Sequence, residues 1–185
     1  MANKSELLAN EIETKKIELL QDRINNNSKL INDLTNKLVA DYCKQLDNYV
    51  RFVQSLLHDD KHPPTAQELD DIVMNLPVLL YFAGEAQENL GIKTDVAKAV
   101  RQEKYNELYN EVKGTIADKT AKSELAAQSE TITHIIYDRA YKIVKCKMEA
   151  AYELLSSCKK VISRRMTETS LANIDEGRFN NGRGN

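Results

Sequence analysis

The chain has no tryptophan and only six glycines, three prolines and three cysteines in 185 residues. So little glycine and proline leaves few points where the backbone can turn sharply, which favours long uninterrupted elements. Cys43, Cys146 and Cys158 are odd in number and have no paired spacing. That excludes a disulfide framework and a spaced thiolate zinc site. No apolar run reaches the roughly 20 residues that a bilayer span needs. The first residues, MANKSELLANEIETKKIELL, are polar and mixed in charge where a secretory leader would carry an apolar core. A cytoplasmic protein with no membrane partner is expected. Alternating apolar and polar residues, the mark of a half-buried strand, are also missing, so the expected fold is all-α: a helical bundle without a β-sheet.

What is present is helical periodicity. Residues 4–24 read as a first helix closed by NNNS at 25–28. A second runs from Ser28 to about Leu57, with Ile31, Leu34, Leu38, Tyr42, Tyr49, Val53 and Leu56 in helical steps. HDDKHPP at 58–64 breaks the pattern, and Thr65 with Glu68 then forms a capping-box signature. A third helix is expected to bend at Pro77 and to end at Gly91. Thr94 or Asp95 caps a fourth, which stops at Lys113-Gly114, and a last helix of about 50 residues runs from near Asp118 to Thr169, about 75 Å long at the α-helical rise. The tail DEGRFNNGRGN reads as disordered. Three regions result: 1–90 with no assignable role, 92–170 carrying the informative motifs, and the tail 171–185.

On the long helix, Tyr137, Tyr141, Val144, Met148, Ala151, Leu155, Cys158 and Ile162 alternate steps of four and three. That heptad seam, coiled-coil-like in spacing, calls for a partner helix. A second copy of the chain is one candidate, giving a homo-oligomer held by Tyr141, Val144, Met148, Leu155 and Ile162. The chain's own helix 28–57 is the other.

Charge is balanced overall, 26 basic against 28 acidic residues, but unevenly spread. Residues 59–118 hold six basic and twelve acidic residues, and 119–185 hold twelve basic and eight acidic. Between Arg139 and Arg165 eight basic residues face only Glu149 and Glu153. Such an imbalance suits either a polyanion or the acidic region of another subunit. Lys142, Lys145, Lys159, Lys160, Arg164 and Arg165 are the candidate phosphate contacts. Lys98, Arg101 and Tyr105 on the fourth helix offer a second contact, with Tyr109 four residues on, because single-strand binders combine cations with aromatic faces on which bases stack.

Catalytic signals are weak. No P-loop, dinucleotide fingerprint, nucleophile elbow or zinc-protease motif occurs. HDDKH at 58–62 gathers two His and two Asp, but at a helix end before Pro-Pro, where a solvated loop is expected rather than a metal site. Cys43 and Cys158 fall on apolar faces as packed thiols. The expectation is a protein that is not an enzyme, with no metal and no cofactor.

The order AKAVR (97–101), KYNELY (104–109), KG (113–114), IADK (116–119) and CKKVISRRM (158–166) resembles the bacteriophage recombination mediator family of the UvsY type. The resemblance covers about 97–170, and carries the family's strand-binding positions onto Lys98, Arg101, Tyr105, Tyr109 and Gly114. It implies a non-enzymatic accessory factor of phage homologous recombination in the host cytoplasm. Such a factor binds single-stranded DNA as an oligomer and loads a recombinase onto strands coated with single-strand-binding protein. The contrasting reading is a helical structural or scaffolding protein, such as a virion component, whose basic and acidic surfaces meet only each other.

Overall fold

A computed structural model describes the backbone of residues 4–59 and 61–181 and the side chains of 15–59 and 61–172. The protein is all-α: α1 (Lys4–Leu57), α2 (Ala66–Glu111), α3 (Ile116–Ala126) and α4 (Gln128–Asn181), with no strand among the described residues.

Two breaks expected from composition are not breaks. Asn25, Asn26, Asn27 and Ser28 lie inside α1, and Gly91, Thr94 and Asp95 lie inside α2. Asn and Ser cost a helix only a few tenths of a kcal/mol each, about 0.5, whereas stopping and restarting forfeits backbone hydrogen bonds at two new ends. Thr94 does not cap; its hydroxyl donates to the Leu90 carbonyl at 2.8 Å within the helix. Gly91 adjoins the Tyr141 ring, 3.5 Å from where a Cβ would stand. Pro77 sits within α2, where it lacks the N–H owed to the carbonyl one turn back.

The real stops are chemically marked. Before α2, the Thr65 N–H donates to Glu68 Oε2 at 2.7 Å and the Glu68 N–H to Thr65 Oγ1 at 3.2 Å. Thr115 and Asp118 repeat this box at the start of α3. These bonds hold both carboxyls below their usual range, so each box is whole at neutral pH and fades as acid protonates the carboxylate. Between α2 and α3 the chain turns on Gly114, whose φ of 145° excludes a Cβ without strain. The expected last helix is divided at Ala127, where φ is −89° and ψ 14°. Backbone bonds still cross it, from Ala127 N–H to the Ser123 carbonyl and from Thr131 N–H to the Ala127 carbonyl. At its far end α4 continues as helix to Asn181, and the tail side chains from 173 onward lie outside the described residues.

The chain forms two compact units, Met1–Ala40 with Leu90–Tyr141 (unit 1) and Asp41–Asn89 with Lys142–Asn185 (unit 2). Unit 1 buries Val39, Leu90 and Ile136 alongside the small residues Ala97, Ala127 and Ala140. It also buries the hydroxyls of Thr35 and Ser123, which find no hydrogen-bond partner. Unit 2 has the richer core. Val53, Leu69, Ile72 and Cys158 form a buried cluster, with Tyr49, Leu56, Leu57, Val73, Leu154 and Ile162 packed against it. Val144, Met148, Ala151 and Leu155 are buried as well. The α4 seam thus packs within the chain, its end at Cys158 and Ile162 lying against α1 and α2. Of the two partners the sequence left open, the chain's own α1 meets the seam at Cys158 and Ile162, through Val53 and Leu56.

Gly91 and Gly114 give opposite tests of these boundaries. Gly91→Ala should raise stability by about 1 kcal/mol, since it replaces a helix-interior glycine where a methyl makes ordinary contact with Tyr141. Gly114→Ala should lower it by about 1–3 kcal/mol through backbone strain. Urea denaturation followed by circular dichroism reads both. A destabilised Gly91→Ala would mean that α2 ends there.

Candidate nucleic-acid interface

The basic residues of α4 divide according to which side of the buried stripe they occupy. Lys147, on the flank toward α1, places Nζ 2.6 Å from both carboxylate oxygens of Asp47. Arg165 donates from Nη1 to the Pro64 carbonyl at 2.6 Å and is half-buried. Both are therefore spent on holding unit 2 together. Arg164 is exposed, and its Nε donates to Glu168 one turn on, at 2.8 Å. Lys142 is exposed on the outer face. Lys145, Lys159 and Lys160 are exposed and have no hydrogen-bond or ion-pair partner among the described residues. Lys145 and Lys159 stand about 21 Å apart along the helix at its usual rise. The exposed carboxylates Glu149 and Glu153 lie between them, so the positive charge forms two clusters rather than one strip.

The second group, Lys98, Arg101 and Tyr105, belongs to unit 1. Arg101 is half-buried, and its Nε donates to Thr131 Oγ1 at 2.8 Å, which joins α2 to the start of α4. That leaves Arg101 a packing role. Tyr105 and Tyr109 are stacked, ring centroids 5.9 Å apart and planes 19° from parallel, within the range where aromatic pairs attract. Lys119 of α3 sets its Nζ 5.5 Å from the Tyr109 ring centroid, a cation–π placement. Lys98 is exposed, and steps of seven and four residues put it on the same flank of α2 as Tyr105 and Tyr109. Lys104 does not join them, being paired with Glu107 at 3.2 Å. The result is a pair of half-exposed rings with the Lys119 ammonium at Tyr109 and Lys98 two turns before Tyr105 on the same flank. Lys119 is not among the cations that the charge pattern picks out. The signal for it is the Thr115–Asp118 box directly after Gly114, which starts α3 at once and returns Lys119 to the end of α2.

Tyr141, Val144, Met148, Leu155 and Ile162, the residues expected to mediate self-association, are buried or half-buried in the single chain. Unit 1 also has an open apolar cavity of about 430 Å³ lined by Ile92, Val96, Ala97, Val100, Thr133 and Tyr137. Lys93 lies over the Tyr137 ring at its edge, 5.9 Å from the centroid.

The titratable groups show no catalytic arrangement among the described residues. Burial pushes the Cys43 and Cys158 thiols up, at Cys43 with help from the Asp47 charge, so both are poor nucleophiles at neutral pH. In the HDDKH segment, Asp59 Oδ1 accepts from the Lys61 and His62 N–H groups at 3.0 and 3.2 Å, and His58 Nδ1 donates to the Gln54 carbonyl at 2.8 Å. These are loop-closing bonds, and Asp60 lies outside the described residues. No group of three His, Cys, Asp or Glu residues among those described is placed to hold a metal ion.

Under native conditions iodoacetamide should label the exposed Cys146 first, leaving Cys43 and Cys158 to react only on unfolding. Peptide mass mapping across a urea series checks this; early labelling of Cys158 would contradict its place in the core.

Comparison with protein-family models, with curated proteins and with solved structures returned no match in any of the three.

Proposed function

We propose that this chain is a non-catalytic accessory protein that binds single-stranded DNA, in the recombination-mediator role that its motifs resemble. The observation that carries the reading is the stacked Tyr105–Tyr109 pair with Lys119 over it and Lys98 on the same flank. Flat half-exposed rings supply a stacking platform for unpaired bases, and adjacent ammonium groups meet the phosphates. Lys145, Lys159 and Lys160 add cations without competing acidic partners, and Lys142 and Arg164 extend their clusters. Such contacts read no base edges, so binding is largely independent of sequence. A recombinase and a single-strand-binding protein as partners follow from the resemblance alone.

The scaffolding reading draws on a different observation. Glu149 and Glu153 interrupt the basic face of α4, and mixed signs suit a protein partner better than a phosphate chain.

Fluorescence anisotropy with a labelled oligonucleotide over a salt series separates the two. Tyr105→Ala should weaken binding by about 1–3 kcal/mol, the usual worth of one stacked base. Changing Lys145, Lys159 and Lys160 to Ala should flatten the log–log salt slope by about 2 per chain, at roughly 0.7 per phosphate contact. Arg165→Ala should lower thermal stability and leave the slope nearly unchanged, because its guanidinium is engaged with Pro64. If the unaltered protein binds no oligonucleotide even at low salt, the DNA reading fails and the scaffold takes its place.

A further inference from the structure

Within unit 2, the outer side of α2 is as apolar as its inner side. No charged residue occurs from Ile72 to Gly84, and the inward stripe of that stretch, Ile72, Leu76, Leu80 and Ala83, is buried. A second stripe, Met74, Val78 and Tyr81, lies about 180° away around the helix at its usual 3.6 residues per turn. Met74 is 73 % exposed, Val78 54 %, Tyr81 65 % and the adjoining Phe82 55 %. Standing opposite the core, the stripe is not its margin. A helix that is apolar all round is ordinarily covered on both sides, and a compact apolar patch in water marks an interaction surface.

The charge around this patch selects what covers it. In steps of three and four the same row continues into Asp71 at one end and into Glu85 and Glu88 at the other. All three are exposed, and none has a cationic partner among the described residues; the Asp71 carboxylate accepts from the neutral Gln67 amide at 3.1 Å. Over residues 62–92 the sequence holds five carboxylates and neither Lys nor Arg. Asp71 and Glu85 stand about 21 Å apart along the helix, so an apolar centre lies between two acidic ends. Its complement is an apolar stripe with cations at each end. Tyr81 and Phe82, edge-on with ring centroids 5.5 Å apart, add aromatic faces that attract Lys and Arg. The flexible Met74 adapts to side chains of varied shape. Beside Phe82, the groove between α1 and α2 opens a cavity of about 620 Å³ lined by Tyr42, Leu46, Leu79 and Ala86, which has room for a large apolar anchor. Asp41 and Lys44, also in its lining, offset each other. An anionic lipid surface is repelled by the same carboxylates.

We propose that this face of α2, from Asp71 to Glu88, docks a basic amphipathic helix of another protein, with its apolar side on Met74, Val78 and Tyr81 and its Lys or Arg residues on the flanking carboxylates. The contact uses none of the residues assigned to DNA and stands whether or not the chain binds DNA.

Fluorescence anisotropy of the full chain with a labelled synthetic peptide tests it, the peptide being about 20 residues of leucine and lysine in helical spacing. Binding in the micromolar range is expected, and it should weaken as salt rises. Tyr81→Lys and, separately, Val78→Lys should each lower affinity by roughly tenfold or more with unchanged far-UV circular dichroism, since both side chains are exposed. Glu85→Lys combined with Glu88→Lys should weaken the leucine–lysine peptide and strengthen a leucine–glutamate one. Leu19→Lys, the same change at an exposed site on α1, should leave affinity as it was. The proposal is overturned if the unaltered protein binds no leucine–lysine peptide, or binds the leucine–glutamate peptide equally well. It is overturned too if Tyr81→Lys and Val78→Lys bind like the unaltered protein, or if Leu19→Lys weakens binding as much as they do. Capture of phosphatidylcholine vesicles in place of the peptide, lost in Tyr81→Lys, would make this a membrane face. An unaltered protein that sediments as an oligomer dissociated by Val78→Lys would make it a contact between copies. Either result overturns the proposal.

Discussion

Burial of the α4 stripe Val144, Met148, Ala151, Leu155 and Cys158 is the constraint from which the arrangement of unit 2 follows. Each fully buried large apolar side chain is worth roughly 1.5–3 kcal/mol, more than any surface ion pair in the chain can supply. Once that stripe faces α1 and α2, the rotation of α4 about its axis is set, and with it the fate of every charge on the helix. Lys147 is brought to Asp47 and Arg165 to Pro64, whereas Lys145, Lys159 and Lys160 are left to solvent. The basic surface is in this sense a residue of hydrophobic packing: packing selects which cations remain available, and a count of lysines does not.

Unit 1 obeys a weaker version of the same rule. Its core is made largely of alanines and two hydroxyls, with Gly91 opposite Tyr141, so it holds fewer large apolar side chains. Small residues permit close approach of helices but bury little area each. Polar ties such as Arg101 to Thr131 take on a larger share of positioning there. The tyrosine pair lies on the rim of this thin core, half in water.

Much of the fold could be read from residues acting locally. The all-α class, the Thr65–Glu68 box, the turn at Gly114 and the apolar spacing of α4 each depend on neighbours within a turn or two. What escaped was decided by distant contacts. NNNS and Gly91 look like punctuation because Asn, Ser and Gly are weak helix formers, yet tertiary packing overrides small propensities. For the candidate site, Lys98 and Tyr105 could be named in advance. The cation–π contact of Lys119, the use of Arg101 as a packing tie and the loss of Lys147 and Arg165 to internal bonds all required knowledge of which helix lies beside which.

The tie between Lys147 and Asp47 joins residues 100 positions apart, and Arg165 reaches back 101 positions to Pro64. A chain emerging from the ribosome at about 5–20 residues per second would expose α1 for several seconds before its α4 partner exists. During that interval the apolar face of α1 has only α2 to bury against, through Val53 with Leu69 and Ile72. Neighbouring nascent chains on one message would be similarly placed, so synthesis itself is the stage at which this topology is most open to pairing between copies.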